Sequence, residues 1–163
     1  MSEAKTGELL VGAIKARAMF YYAFYKEFSA EIGAERTAEI MKRAIYKRGL
    51  EIGKPFRKFA PGDMAGLKDA FLGIVPDPEA TFNPNVERCD DSGIDILLQT
   101  CPLKDAWQEA GLSDDEVALM THIAGRVDNG TFEGAGFRFH ADTWQPGRRG
   151  CCHLHIRPGA KGE

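Results

Sequence analysis

The 163-residue sequence lacks any run of 18 or more apolar residues, and its opening, Met1-Ser2-Glu3-Ala4-Lys5, lacks the basic-then-apolar order of a secretory leader. A cytoplasmic location is therefore expected. An excess of one charge is also missing: 21 Lys and Arg against 24 Asp and Glu leave a formal −3. That balance gives no electrostatic footprint for nucleic acid or an anionic membrane, so a small-molecule partner is expected instead. Cysteine is scarce. The four residues Cys89, Cys101, Cys151 and Cys152 are too few for a disulfide framework in a chain of this length. As reduced thiols they are candidates for catalysis or metal binding, or else inert buried groups. Phosphate-cradling glycine loops and a nucleophile-elbow serine are absent as well.

What is present divides at Pro76-Asp77-Pro78, where two prolines in three residues stop a helix. One domain is expected over 1–163, with a helical half, 1–75, and an α+β half, 76–163, that carries the candidate site. In the first half, Leu10, Ile14, Ala18, Tyr21, Tyr25 and Phe28 recur every three or four residues and predict a helix over about 9–32, stopped by Gly33. A second helix is expected from Ala34 into the fifties on the core positions Ala38, Met41, Ile45 and Leu50, until Gly53 and Pro55 interrupt it. Asp63 can cap a third, ending near Gly73. The aromatic residues of this half read as packing, and any part of them left exposed offers a face for a homodimer or other homo-oligomer.

The second half reads as two hairpins with helices between them. Strands over 81–89 and 94–101 flank Asp90-Asp91-Ser92-Gly93, a four-residue loop, and Pro84 puts the first strand at an edge. Leu103, Ala106, Trp107 and Ala110 predict a short helix after Pro102. Ser113 and Glu116 form a capping box for a better helix that runs to Asn129-Gly130. Segments 137–144 and 151–157 make the second hairpin, and 159–163 is expected to stay unpacked. The fold class is α+β, a helical N-terminal layer packed on a small antiparallel sheet of about four strands with intervening helices.

Candidate chemistry gathers in that half. Cys101 ends a strand just before a helix, where the positive end of the helix dipole lowers a thiol pKa and makes a nucleophile; a small apolar residue at a strand end is the alternative reading. On the helix after Ser113, Val117, Met120, Ala124 and Val127 mark the buried stripe, and Thr121 and Asp128 fall on it. A carboxylate there must be compensated, by function or by capping the Asn129-Gly130 turn. In Cys151-Cys152-His153-Leu154-His155, strand alternation puts Cys151, His153 and His155 on one face and Cys152 and Leu154 on the other. The two histidines, about 7 Å apart, could share a metal ion, or one could serve as acid or base. No C-x₂-C pair or H-E-x-x-H run exists, and Cys89 and Cys101 fall roughly 20 Å apart in a simple hairpin. No cofactor is expected; zinc is the alternative.

Three stretches carry a resemblance: Cys101-Pro102-Leu103-Lys104-Asp105-Ala106-Trp107, Ile123-Ala124-Gly125-Arg126-Val127-Asp128-Asn129-Gly130-Thr131-Phe132-Glu133, and Gly150-Cys151-Cys152-His153-Leu154-His155-Ile156. Together they resemble the L-2-amino-thiazoline-4-carboxylic acid hydrolase family. The resemblance implies a hydrolase that opens a carbon-heteroatom bond, a C–N bond among them, in a small nitrogen-containing ring such as a cyclic amidine or thiazoline. Cys101, Asp128, Cys152, His153 and His155 are the catalytic candidates, with Thr121 and Trp107 as substrate-binding candidates. Thr121 departs from the family pattern, in which a cysteine is common at this position. A fainter similarity to 4-vinyl-reductase-type domains implies the alternative, a noncatalytic module for a small ligand or zinc.

Overall fold

In the computed structural model, which describes residues 3–160, the helical periodicity of the first half becomes α1 (Glu3–Ile32), α2 (Ala34–Gly53), a 3-10 turn (Lys54–Phe59) and α3 (Met64–Gly73). Gly33 breaks α1 from α2 at φ 86°, a left-handed value that a side chain disfavours. The Asp63 carboxylate accepts the Gly66 amide at 2.9 Å and so caps α3. On α1, Ala18 and Tyr25 are buried, but Phe28 is not: it is 47% exposed, in line with Phe20 and Phe24 on the opposite face. Tyrosine and phenylalanine thus occupy different sides of one helix, a division that apolar spacing alone does not reveal.

The second half contributes β1 (Pro84–Asp90), β2 (Gly93–Leu98), α4 (Pro102–Glu109), α5 (Asp114–Ala124), α6 (Arg126–Gly134), β3 (Arg138–Asp142) and β4 (Cys152–Arg157). The four strands form one antiparallel sheet in the order β1-β2-β4-β3, so the last strand of the chain lies inside it. The fold is α+β, as the sequence predicts. Pro84 does open an edge strand. The first hairpin loop is shorter than expected: Asp90 already pairs with Gly93, leaving two residues at the turn, and the register shift falls between Val86 and Arg88. Gly93 takes φ 148° there, which permits the tight reversal.

The sheet turns Ile94 and Ile96 of β2 and Leu154 and Ile156 of β4 inward, all at 0% exposure, against Leu67, Trp107, Val117, Ile123 and Phe132 from the helices. Side chains of this size contribute about 1.5–3 kcal/mol each when removed from water. Thus the amphipathic pattern is realised as one core between sheet and helices.

One expected helix is two. Ser113 and Glu116 cap α5 reciprocally as predicted, but α5 ends at Ala124, and Gly125 bends the chain into α6. Asn129-Gly130 does not end a helix; both residues lie within α6. The glycine serves contact instead of termination. A Cβ added to Gly130 would stand 2.0 Å from the Tyr46 carbonyl oxygen, and one added to Gly49 would stand 2.1 Å from that of Val127. The backbones of α2 and α6 therefore touch where no side chain fits.

Of the tail expected to be unpacked, Gly159 is held by its amide, which donates to the Pro61 carbonyl at 2.9 Å. Lys161 to Glu163 lie outside the described residues. No helix among the described residues is long and apolar enough to cross a membrane.

Candidate functional site

The helices and the inner face of the sheet leave a cavity of about 250 Å³. Cys101, Trp107, Thr121, Asp128 and Cys152 all border it, among apolar side chains that include Phe71, Phe82 and Leu98. Five of the seven residues singled out in the sequence therefore converge, from α4, α5, α6 and β4.

Asp128 is brought there by the break at Gly125. The break places it in the first turn of α6 and not in the last turn of a long helix, so the local dipole favours its charge. Yet its carboxyl is pushed up from the ordinary 3.8 to about 7, because the surrounding protein removes water from it. The displacement corresponds to about 4 kcal/mol of differential solvation, against about 0.3–1 kcal/mol for a helix end, so desolvation prevails. The residue is half-buried and borders the cavity. No described residue donates a hydrogen bond or an ion pair to it. Asp128 is thus a carboxyl without a donor among the described residues, its pKa raised by burial toward neutral pH.

Cys101 stands at the N-cap of α4, ahead of Pro102. The Cys151 thiol donates toward its sulfur and is the largest influence holding its pKa below the usual thiol value. Burial opposes that shift. The amides of Leu103 and Lys104 reinforce it, without either forming a cap hydrogen bond of ordinary geometry. Cys151 is correspondingly held far above the usual thiol value, first by serving Cys101 as donor, then by its contact with Cys152. The Sγ atoms of Cys151 and Cys152 are 3.6 Å apart.

Thr121 is buried and borders the cavity, and its hydroxyl donates to the Val117 carbonyl at 2.7 Å. Trp107 gives its indole N–H to the Ala18 carbonyl at 2.9 Å. That bond ties α4 to α1 and leaves only the apolar ring for a ligand.

The two histidines do not reach this cavity. In β4 the pleat buries Cys152, Leu154 and Ile156 and sends His153 and His155 to the outer face of the sheet, so no imidazole joins Cys101 and Asp128. Cys151 precedes the regular strand and is buried at 2% exposure, yet it borders an outer-face pocket together with His153 and Glu87, on the side that strand alternation predicts. On the outer face, His155 Nδ1 lies 2.7 Å from Asp95 Oδ1 and its Nε2 lies 3.4 Å from Asp142 Oδ2. His153 Nε2 is 3.1 Å from Glu87 Oε2 but is not aligned for a hydrogen bond. Desolvation pushes Asp95 up, yet hydrogen bonds from Arg88, His155 and Arg157 together outweigh it and hold the carboxyl far below the usual aspartate range. This is an ion-pair network on a partly exposed face. Among the described residues, no group of three or more His, Cys, Asp or Glu side chains is arranged to hold a metal ion.

One cavity residue carries no signal in the sequence. Arg17 borders the cavity from α1 while remaining exposed. In the sequence it is one more charged position between apolar ones.

No curated protein matches the chain. A family model described as L-2-amino-thiazoline-4-carboxylic acid hydrolase matches residues 13–156. The matched span takes in every residue that borders the cavity, from Arg17 to Cys152, and the chain belongs to the L-2-amino-thiazoline-4-carboxylic acid hydrolase family.

Proposed function

We propose that the protein hydrolyses a carbon-heteroatom bond in a small nitrogen-containing ring, a cyclic amidine or thiazoline, with Cys101 as nucleophile and Asp128 as proton carrier. The observation that carries this reading is that a thiol with lowered pKa and an unpaired carboxyl with raised pKa face one cavity. Environments that push two titratable groups in opposite directions mark an acid and a nucleophile.

In this reading the Cys101 thiolate adds to the amidine carbon. The ring bond from that carbon to its heteroatom breaks as the protonated Asp128 carboxyl gives the departing atom a proton. Water then adds to the carbon, returning a proton to Asp128, and the carbon-sulfur bond breaks to release the thiolate and a ring-opened carbonyl product. Since no imidazole borders the cavity, Asp128 serves both proton transfers. The family's name implies a substrate carboxylate, and Arg17 at the cavity edge is the cation suited to receive it. Trp107 and Thr121 would shape the wall, and Cys152 is the reserve nucleophile. Cys101 and Cys152 remain distinguishable by mutation.

Turnover of a panel of 2-aminothiazolines, cyclic amidines and hydantoins, with and without a ring carboxylate, tests the proposal. Ring opening with preference for the carboxylated members is expected. No turnover of any member by fully reduced protein would remove the hydrolase reading for this substrate class. The apolar lining favours one second reading, a noncatalytic module that binds a small ligand; saturable binding without turnover would support it.

A further inference from the structure

The fold uses one side of α1. Ala18 and Tyr25 are buried there, and the Ala18 carbonyl takes the Trp107 indole N–H. On the other side Leu9, Ala13, Ala16, Phe20, Phe24 and Phe28 stay exposed, spaced three or four residues apart, and form one stripe about 30 Å long. Phe20 is 64% and Phe24 50% exposed. The rings of Phe20, Phe24 and Phe28 follow one another at centroid separations of 6.3 and 6.0 Å. At about 200 Å² for a whole aromatic side chain, these three leave roughly 300 Å² of apolar surface in water.

We infer that this stripe is a dimer face, which docks on the same stripe of a second copy with the two α1 helices antiparallel about a twofold axis at Phe20. Such an axis sets opposite each other residues whose numbers sum to about 40. Ala16 then faces Phe24 and Gly12 faces Phe28, so each ring lies over a small residue. A Cβ added to Gly12 meets nothing within 4 Å, and the space is open to an incoming ring. Phe20 meets its own counterpart at the axis. The charges on the stripe agree with this direction: Lys5 and Arg17 stand in its first half, Glu27 and Glu31 in its second. Antiparallel pairing brings the opposite signs within about one turn of each other, whereas parallel pairing would set like against like.

The area is sufficient for a second copy. Two copies contribute about 600 Å² from the three rings alone, half of the roughly 1,200 Å² at which stable interfaces begin. Leu9, Ile32 and the small residues between the rings supply the remainder. A lipid surface suits the stripe less well, because Glu27 and Glu31 lie within it, where anionic headgroups would repel them and the acyl boundary would strip their water. Since Arg17 borders the cavity and precedes Phe20 by one turn, the paired helices stand at the cavity's edge.

The experiment is sedimentation equilibrium of the reduced full-length protein over a wide concentration range. It needs no substrate, so its outcome is separate from that of the hydrolase reading. The expected mass is twice the 18.0 kDa of one chain. Phe20→Asp sets two carboxylates face to face at the axis and should raise the dissociation constant by about 30-fold or more. Phe24→Asp should do the same as a second variant, both with an unchanged melting temperature because these side chains are exposed in one copy. Register is read by exchange: Ala16→Phe alone and Phe24→Ala alone should each weaken pairing, and the two together should restore most of it. A monomer at every concentration would overturn the inference, as would an assembly indifferent to Phe20→Asp and Phe24→Asp, or a double variant no better than the singles. Monomer that floats with phosphatidylcholine or phosphatidylserine vesicles would assign the stripe to lipid and overturn it too.

Discussion

Cys101 and Asp128 occupy the starts of two helices, α4 and α6, and border one cavity, yet the pKa values of these two groups, under the same kind of helix-end field, are shifted in opposite directions. The thiol is drawn toward its anion by a neighbouring donor, while the carboxyl, with no donor, is driven toward its neutral form by lost water.

Cys101→Ser is expected to lower kcat by about 10³-fold or more, as removal of a covalent nucleophile does. Cys152→Ser should lower it far less. Iodoacetamide labelling against pH provides an independent readout: Cys101 should react with an inflection below the ordinary thiol range, and Cys151→Ala should move that inflection upward. Equal losses in the two serine variants would contradict the assignment of the nucleophile.

Asp128→Asn should fold at least as stably as the parent and lose about 100-fold or more of its activity. The folded carboxyl keeps its proton up to about pH 7, whereas the unfolded chain releases it near 3.8. Between those values the folded state binds more protons, so stability falls as pH rises, and the loss is complete above about 7. Urea unfolding should therefore show the variant gaining on the parent from near zero at pH 4 to on the order of 2–4 kcal/mol at pH 8. A pH-independent difference would mean that Asp128 is not the desolvated group described.

Asp95→Asn acts in the opposite sense. Its folded pKa is depressed, so its stabilisation is present above the unfolded value and is lost as the solution is acidified through about pH 4 and below. Substitution should cost about 1–3 kcal/mol at pH 7, because the partners Arg88, His155 and Arg157 are partly exposed and screened. His155→Gln should behave as a milder version of the same change. Neither should alter the pH profile of Cys101 labelling; a shifted profile would tie the outer face to the cavity.

Gly49→Ala and Gly130→Ala each place a methyl where a carbonyl oxygen would lie 2.1 or 2.0 Å away. Overpacking on this scale is expected to cost about 3 kcal/mol or more, read by thermal melting. Gly12→Ala, where an added Cβ meets nothing within 4 Å, is the control and should be neutral or slightly stabilising.

Local chemistry in the sequence foretold Gly33, the Asp63 cap and the Ser113–Glu116 box, because each is decided within a few residues. It also selected Cys101, Thr121, Asp128 and Cys152, through their positions on a helix start, a buried stripe or a strand face. It failed where the deciding partner is distant. Gly130 looks like a stop until Tyr46 is found against it, and Gly125 looks tolerable inside a helix until the chain bends there. Arg17 joins the cavity only through the packing of α1, and the separation of His153 and His155 from Cys101 depends on which face of β4 meets the helices.

That alternation along β4 has a consequence for insertions and deletions. A single residue gained or lost within Cys152–Arg157 would turn each later side chain to the other side of the sheet, exposing apolar groups and burying an ion-pair network in one step. The turn between β3 and β4, residues 143–151, can absorb a change of length only before Cys151. Engineering of this protein by length variation is thus confined to a short window ending at Gly150, while the strand beyond tolerates exchange of residues but not a change in their number.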